Sequence, residues 1–193
     1  AHAINQALGN AGQTVRYVAP ADRDEVGHGT DIAALAEAMG AGQVQALVIL
    51  GGNPVYDAPG DLAFGEKLAR VPASFVLSSH RDETAERATW HIPRAHELEA
   101  WGDGQSLDGT VSIQQPLIQP LFMGRSEIEI LALLADAPSP RGHDLVQETH
   151  RGAGVPAVIF NRAWRRALNR GVHVEAPNNP ALPSIQGGAV AQR

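Results

Sequence analysis

Ala46-Leu-Val-Ile-Leu50 is an unbroken apolar run that ends at once in Gly51-Gly-Asn-Pro54. A strand with one wet face alternates apolar and polar side chains, whereas a continuous run suits a strand covered on both faces in a parallel sheet. The neighbouring segments agree. Thr30 is placed to N-cap a helix starting at Asp31, with Ile32, Leu35, Ala36 and Met39 on one stripe and Gly40 at its end. Pro59 suits a first helical turn, and Leu62, Gly65, Leu68 and Ala69 follow at helical spacing. Ser74-Phe-Val-Leu77 reads as the next strand, 82–88 as a short helix and Thr89-Trp-His-Ile92 as another strand, with Val15–Ala19 a further short candidate. Strands alternating with helices over short connections imply right-handed crossovers. The expected fold is therefore α/β: a doubly wound, mostly parallel sheet with helices on both faces.

Beyond residue 92 the pattern loosens. The run from Thr89 ends its strand at Pro93, turns through acidic residues from Glu97 to Asp103, and enters a nearly uncharged extended stretch from Val111 to Phe122. Ser112, Gln114, Gln115 and Gln119 make that stretch a poor simple core strand. Ser126 and Glu129 then form a capping-box signature ahead of Ile128, Leu131, Ala132 and Ala135. Residues 136–157 mix prolines, glycines and charges and read as loop with a short helix, and Phe160–Leu168 reads as helix with Trp164 on its stripe and Gly171 at the stop. Ala176–Pro183 has the composition of a linker. Two regions are expected: 1–135 as the α/β domain, and 136–193 as an irregular C-terminal extension with one helix near 160–170. The start at Ala1, without Met or basic leader and with 2–9 already helix-like, suggests a segment cut from a longer chain.

Composition narrows the chemistry. Net charge is −6, which disfavours a nucleic-acid partner, since phosphate recognition needs a basic surface. Arg162, Arg165, Arg166 and Arg170 form a local cationic patch that reads as a solvated helix face. The chain has no cysteine, so it holds no disulfide, thiolate nucleophile or iron–sulfur ligand of its own. No apolar window is long enough to span a bilayer. Eight histidines invite a metal reading, but His91 and His96 straddle Pro93 and cannot share a helix face, so the histidines read as ordinary strand and surface residues. Glu97, Glu99 and Asp103 read as structural. Gly152-Ala-Gly-Val-Pro-Ala157 imitates a dinucleotide fingerprint without the preceding strand.

In an open parallel sheet, ligands bind beyond the carboxyl ends of the strands. Two loops are expected there. Gly51, Gly52, Asn53 and Pro54 form the first, whose glycines let backbone amides approach an anion or a ring. Ser78, Ser79, Asp82, Glu83 and Thr84 belong to the second, with hydroxyls and carboxylates suited to a base or ribose. The alternative for both is a tight turn after a buried strand.

Several ordered motifs together resemble one superfamily. Leu47-Val-Ile-Leu-Gly-Gly-Asn-Pro-Val-Tyr-Asp57, Asp82-Glu-Thr-Ala85, Trp90-His-Ile-Pro93, Ala95-His-Glu-Leu-Glu-Ala-Trp-Gly-Asp103 and Asp108-Gly-Thr-Val-Ser-Ile-Gln-Gln-Pro-Leu-Ile-Gln-Pro-Leu-Phe122 look like the molybdopterin oxidoreductases. Most of all they resemble the molybdopterin-oxidoreductase-like iron–sulfur subunit of alternative complex III, a quinol:electron-acceptor oxidoreductase. The resemblance covers about residues 1–135 and implies the third, Rossmann-like domain of a much larger chain. In catalytic relatives the two loops hold molybdopterin guanine dinucleotide, with an acidic residue just after the second strand. Here Ser78 stands about where that acid is expected.

The resemblance therefore implies a scaffold domain without catalytic residues, in which the nine loop residues are a candidate, vestigial cofactor site. No cofactor or metal is expected in this fragment, and iron–sulfur clusters belong to the rest of the parent chain. Implied partners are the parent's other domains and neighbouring cluster- and haem-bearing subunits of a membrane complex. The implied location is peripheral, on the periplasmic side of a bacterial inner membrane, without membrane insertion. The competing expectation is a cofactor-binding domain of a true molybdenum oxidoreductase of the polysulfide or formate type.

Overall fold

The computed structural model describes residues 2–17, 28–106, 109–151 and 154–175. The expected linker at 176–183, the strand candidate beyond Tyr17, Asp108, and Gly152–Ala153 of the fingerprint look-alike lie outside the described residues. The first sheet is parallel, in the order β1 (Ala46–Leu50), β2 (Ala73–Ser78), β3 (Trp90–Pro93). Around it stand α2 (His28–Gly40), α3 (Pro54–Asp57), α4 (Phe64–Leu68) and α5 (Glu83–Arg87), with the short helix α1 (His2–Ala7) at the start. This is the mixed α/β arrangement expected, with helices on both faces of a mostly parallel sheet.

The unbroken apolar run of β1 has a direct use. Leu47 and Ile49 pack against a buried cluster of Ala36, Met39, Phe64, Leu68 and Val71 from α2, α4 and the following turn. Leu47 and Ile49 are themselves only half-buried, as are Val48 and Leu50, so β1 is less covered than its unbroken apolar run suggests, and each side chain contributes less than the roughly 1.5–3 kcal/mol of full burial. Ser74, fully buried in β2, accepts from Thr89 N–H at 2.9 Å, and Thr89 Oγ1 accepts from Ser74 N–H at 3.2 Å. These bonds set the register between β2 and the entry to β3.

Two local expectations are adjusted. α2 begins at His28, ahead of Asp31. The helix expected after Pro59 is broken: a single 3-10 turn covers Gly60–Leu62, Ala63 adopts φ 47°, and α4 starts afresh at Phe64. The break turns Phe64 and Leu68 into the core together. At the other end, Val15 makes only an isolated bridge to Ala11.

A second sheet is antiparallel, in the order β4 (Gly102–Gln105), β5 (Thr110–Gln114), β6 (Val172–Glu175). Strands from both sides of residue 135 thus pair directly. Packed with this sheet are α6 (Glu127–Leu134), α7 (Gly142–Thr149) and α8 (Ala157–Arg170). Phe160 and Trp164 of α8 join Ile113 and Val146 in a second buried cluster. Gly171, at φ 73°, ends α8 in the left-handed conformation that releases the chain into β6. The amides of the uncharged stretch knit loops together. Gln114 Nε2 donates to Glu97 O and Ala100 O, and Gln115 Nε2 donates to Leu168 O.

Beyond β3, Arg125 bridges to the chain leaving that strand. Arg125 N–H donates to Pro93 O and Ala95 N–H to Arg125 O, both at 2.9 Å. A Cβ on Gly124 would stand 2.9 Å from Ala95 N, so only glycine lets the two backbones approach this closely. Glu129 spans the next junction: Oε2 accepts from Ser126 N–H at 3.1 Å, the carboxylate half of the capping box, and Oε1 from Gly142 N–H at 3.2 Å. The start of α7 is thereby fixed to the start of α6.

Candidate functional site

The two predicted loops meet at the carboxyl end of the parallel sheet. Gly51 and Gly52 have φ of 79° and 77°, values that side-chain-bearing residues rarely adopt. They turn the chain out of β1 into α3, and Gly51 N–H donates to Leu77 O at 2.9 Å. Pro54 occupies the first turn of α3.

Asn53 is the hinge between the loops. Its Oδ1 accepts from Thr84 Oγ1 at 2.7 Å and from Thr84 N–H at 3.2 Å, and its Nδ2 donates to Glu83 Oε2 at 2.7 Å. Thr84, fully buried, also accepts from Val55 N–H through Oγ1 at 3.0 Å. The Asn53 amide beside Glu83 holds its carboxyl below the usual carboxylate range, because that hydrogen bond favours the charged form.

The remaining second-loop residues are also committed. Ser78 is buried, and its hydroxyl donates to His80 O at 2.7 Å. His91 Nε2 lies 3.1 Å from both Ser78 Oγ and Ser78 O. With the hydroxyl proton already given to His80, the tautomer with Nε2–H donating to Ser78 satisfies all three contacts. Asp82 caps α5 by accepting from Ala85 N–H at 2.8 Å. Ser79 is exposed.

The structure therefore gathers the nine predicted residues into one neighbourhood but turns the polar atoms of Asn53, Ser78, Asp82, Glu83 and Thr84 toward protein partners. An open cleft of about 430 Å³ does lie beside Gly51, Gly52, Asn53 and Pro54, bounded by Ile32, Ile49 and Asp57. None of Ser78 to Thr84 lines it. Close to Gly51, the Arg94 guanidinium comes within 3.8 Å of where a Cβ would stand and pairs with Glu127 at 2.5 Å. A guanine base needs an acceptor for its donor edge, and Ser78 offers a hydroxyl already in use.

A second polar cluster escaped sequence reasoning. His150 Nε2 and Asp103 Oδ2 lie 2.6 Å apart, the His150 and His173 rings have centroids 4.6 Å apart, and His150 stacks on Trp164. His143 meets Trp101 edge-on and bonds Asp144, which also accepts from Ser139 Oγ at 2.8 Å. Burial, aided by the nearby His150, pushes the His173 imidazole below its ordinary range. Asp103 and His150 are 47 positions apart, and no local spacing signals their meeting. Among the described residues no group of three or more His, Asp or Glu is arranged to hold a metal ion.

Comparison with known proteins gives a distant likeness. The chain is 30 % identical over 136 residues to the menaquinone reductase molybdopterin-binding-like subunit of Nitratidesulfovibrio vulgaris, strain Hildenborough. The match takes in 62 % of this chain and 20 % of that protein, so the chain spans about a fifth of its curated relative. No family model matches the chain. Among the described residues, no helix is long and apolar enough to cross a membrane.

Proposed function

We propose that this chain is a scaffold domain of a molybdopterin-oxidoreductase-like subunit, of the kind found in alternative complex III. There it would support quinol-to-periplasmic-acceptor electron transfer without performing redox chemistry itself. Residues 1–135 form the α/β domain and 136–193 its extension, anchored back by β6. The observation that supports this reading is the network at Asn53: both ends of its amide are bonded to Thr84 and Glu83, which leaves fewer of the loops' polar groups for a ligand. The relative's name, molybdopterin-binding-like, supports the same superfamily.

A scaffold needs docking surface, and one is available. Leu117, Ile118, Leu121, Phe122 and Met123 are all exposed in the loop after β5, Phe122 at 77 % and Met123 at 86 %. A patch of this kind on a polar surface marks an interaction site. On this reading the patch faces other domains of the parent chain or neighbouring cluster- and haem-bearing subunits, on the periplasmic side of the membrane.

The second reading is a cofactor-binding domain of a catalytic molybdenum oxidoreductase, favoured by the cleft of about 430 Å³ beside Gly51 to Pro54. Molybdopterin guanine dinucleotide would then sit against Gly51, Gly52, Asn53 and Pro54. Calorimetric titration of the chain with that dinucleotide separates the two. No saturable heat is expected for the scaffold, and tight one-to-one binding would establish the second reading instead.

A further inference from the structure

A cleft of about 550 Å³ lies between α6 and α7, away from the parallel sheet. Its floor is apolar, formed by Leu131 and Ala132 of α6 and Leu145 and Val146 of α7. Its charged lining residues are all acids: Asp103, Asp144 and Glu148. Asp103 contacts His150, Asp144 accepts from His143 and Ser139, and Arg141 acts on Asp144 from the start of α7. Glu148 is exposed on the rim. A groove between two eight-residue helices, each about 12 Å long, is sized for two turns of a third helix.

α8 carries a surface of matching chemistry. Phe160, Trp164 and Ala167 take its buried face. Val158, Ile159, Arg162, Arg165 and Arg166 recur at helical spacing on the opposite side. Val158 is 83 % and Ile159 61 % exposed, which is costly for a helix meant only for water. Two apolar anchors followed by three arginines complement an apolar floor with an acidic rim in both shape class and sign.

We infer that the α6–α7 groove receives the outer face of α8 from a second copy of this chain, with Val158 and Ile159 on the floor and Arg162 and Arg166 toward Glu148. The two surfaces are different patches, so the contact is heterologous and each copy can both give and receive. This inference does not depend on the scaffold reading, because it uses neither the parallel-sheet loops nor the patch at 117–123.

Sedimentation velocity over a concentration series tests it, at low and at high ionic strength. Low salt should produce concentration-dependent growth beyond a dimer, and high salt should reverse it. Glu148→Arg alone, or R162E/R166E alone, should weaken association at least about tenfold. The chain carrying all three changes should recover it, because both signs are then exchanged. These positions are exposed, and matching circular dichroism spectra establish that each variant is folded. A monomer at every concentration overturns the inference. So does association indifferent to salt and to single reversals, which would assign it to the loop at 117–123. Failure of the triple variant to recover overturns the pairing of these two faces.

Discussion

Thr84 is the most revealing position to perturb, because one hydroxyl connects three segments. Thr84→Val keeps the shape and removes the donor to Asn53 Oδ1 at 2.7 Å and the acceptor for Val55 N–H at 3.0 Å. Each lost bond costs about 1 kcal/mol, and leaving the Val55 N–H without a partner adds a further ~1 kcal/mol. A gained methyl offsets up to about 0.8 kcal/mol, so the net loss should be about 2 kcal/mol. Thr84→Ser keeps both bonds and loses only a buried methyl, about 1 kcal/mol. Urea unfolding of both variants, with equal slopes as the check on two-state behaviour, gives the comparison. A valine variant as stable as the serine variant would refute the claim that this hydroxyl ties the loops together.

Other consequences are equally open to measurement. Asn53→Ala should return the Glu83 carboxyl toward its ordinary range. Its depressed folded value contributes stability above the unfolded value, lost as pH falls through the folded one, and side-chain NMR titration reads the change directly. His173 is displaced downward in the fold, so the unfolded chain binds the extra proton first. Stability should therefore decline as pH drops below about 6.5, and His173→Phe should flatten that part of the pH–stability curve measured by thermal melts. Gly124→Ala drives a Cβ to 2.9 Å from Ala95 N and should cost about 1–3 kcal/mol, visible as a lowered Tm with unchanged composition of secondary structure.

The parallel sheet was legible because its evidence is local. The run Ala46–Leu50, the glycine pair after it and the strand at Ser74–Leu77 each carry their own signal, and β1 and β2 appear there. Gathering of the two loops followed from the same rule about strand ends. What the loops do with their polar atoms was not legible, since Asn53 and Thr84 are 31 positions apart and either could have faced a ligand. The break before Phe64 leaves no local trace, because Ala63 takes a left-handed backbone that only the surrounding core explains. The second sheet left even less trace. Gly102–Gln105 lacks strand-forming residues and takes its conformation from pairing with β5. The histidines carry no local signal of their setting, which comes from β4, α7, α8 and β6 arriving together.

The placement of β6 bears on how the polypeptide acquires its shape. β5 is the middle strand of its sheet, and one of its neighbours comes from residues 172–175, far downstream of it. During synthesis, Thr110–Gln114 must wait with one hydrogen-bonding edge bare until α8 and Gly171 have left the ribosome. Over that interval the parallel half can already be complete, while the other half stays vulnerable to strand exchange with nascent neighbours. A release stalled before Val172 should yield a protease-resistant core that stops short of the second sheet.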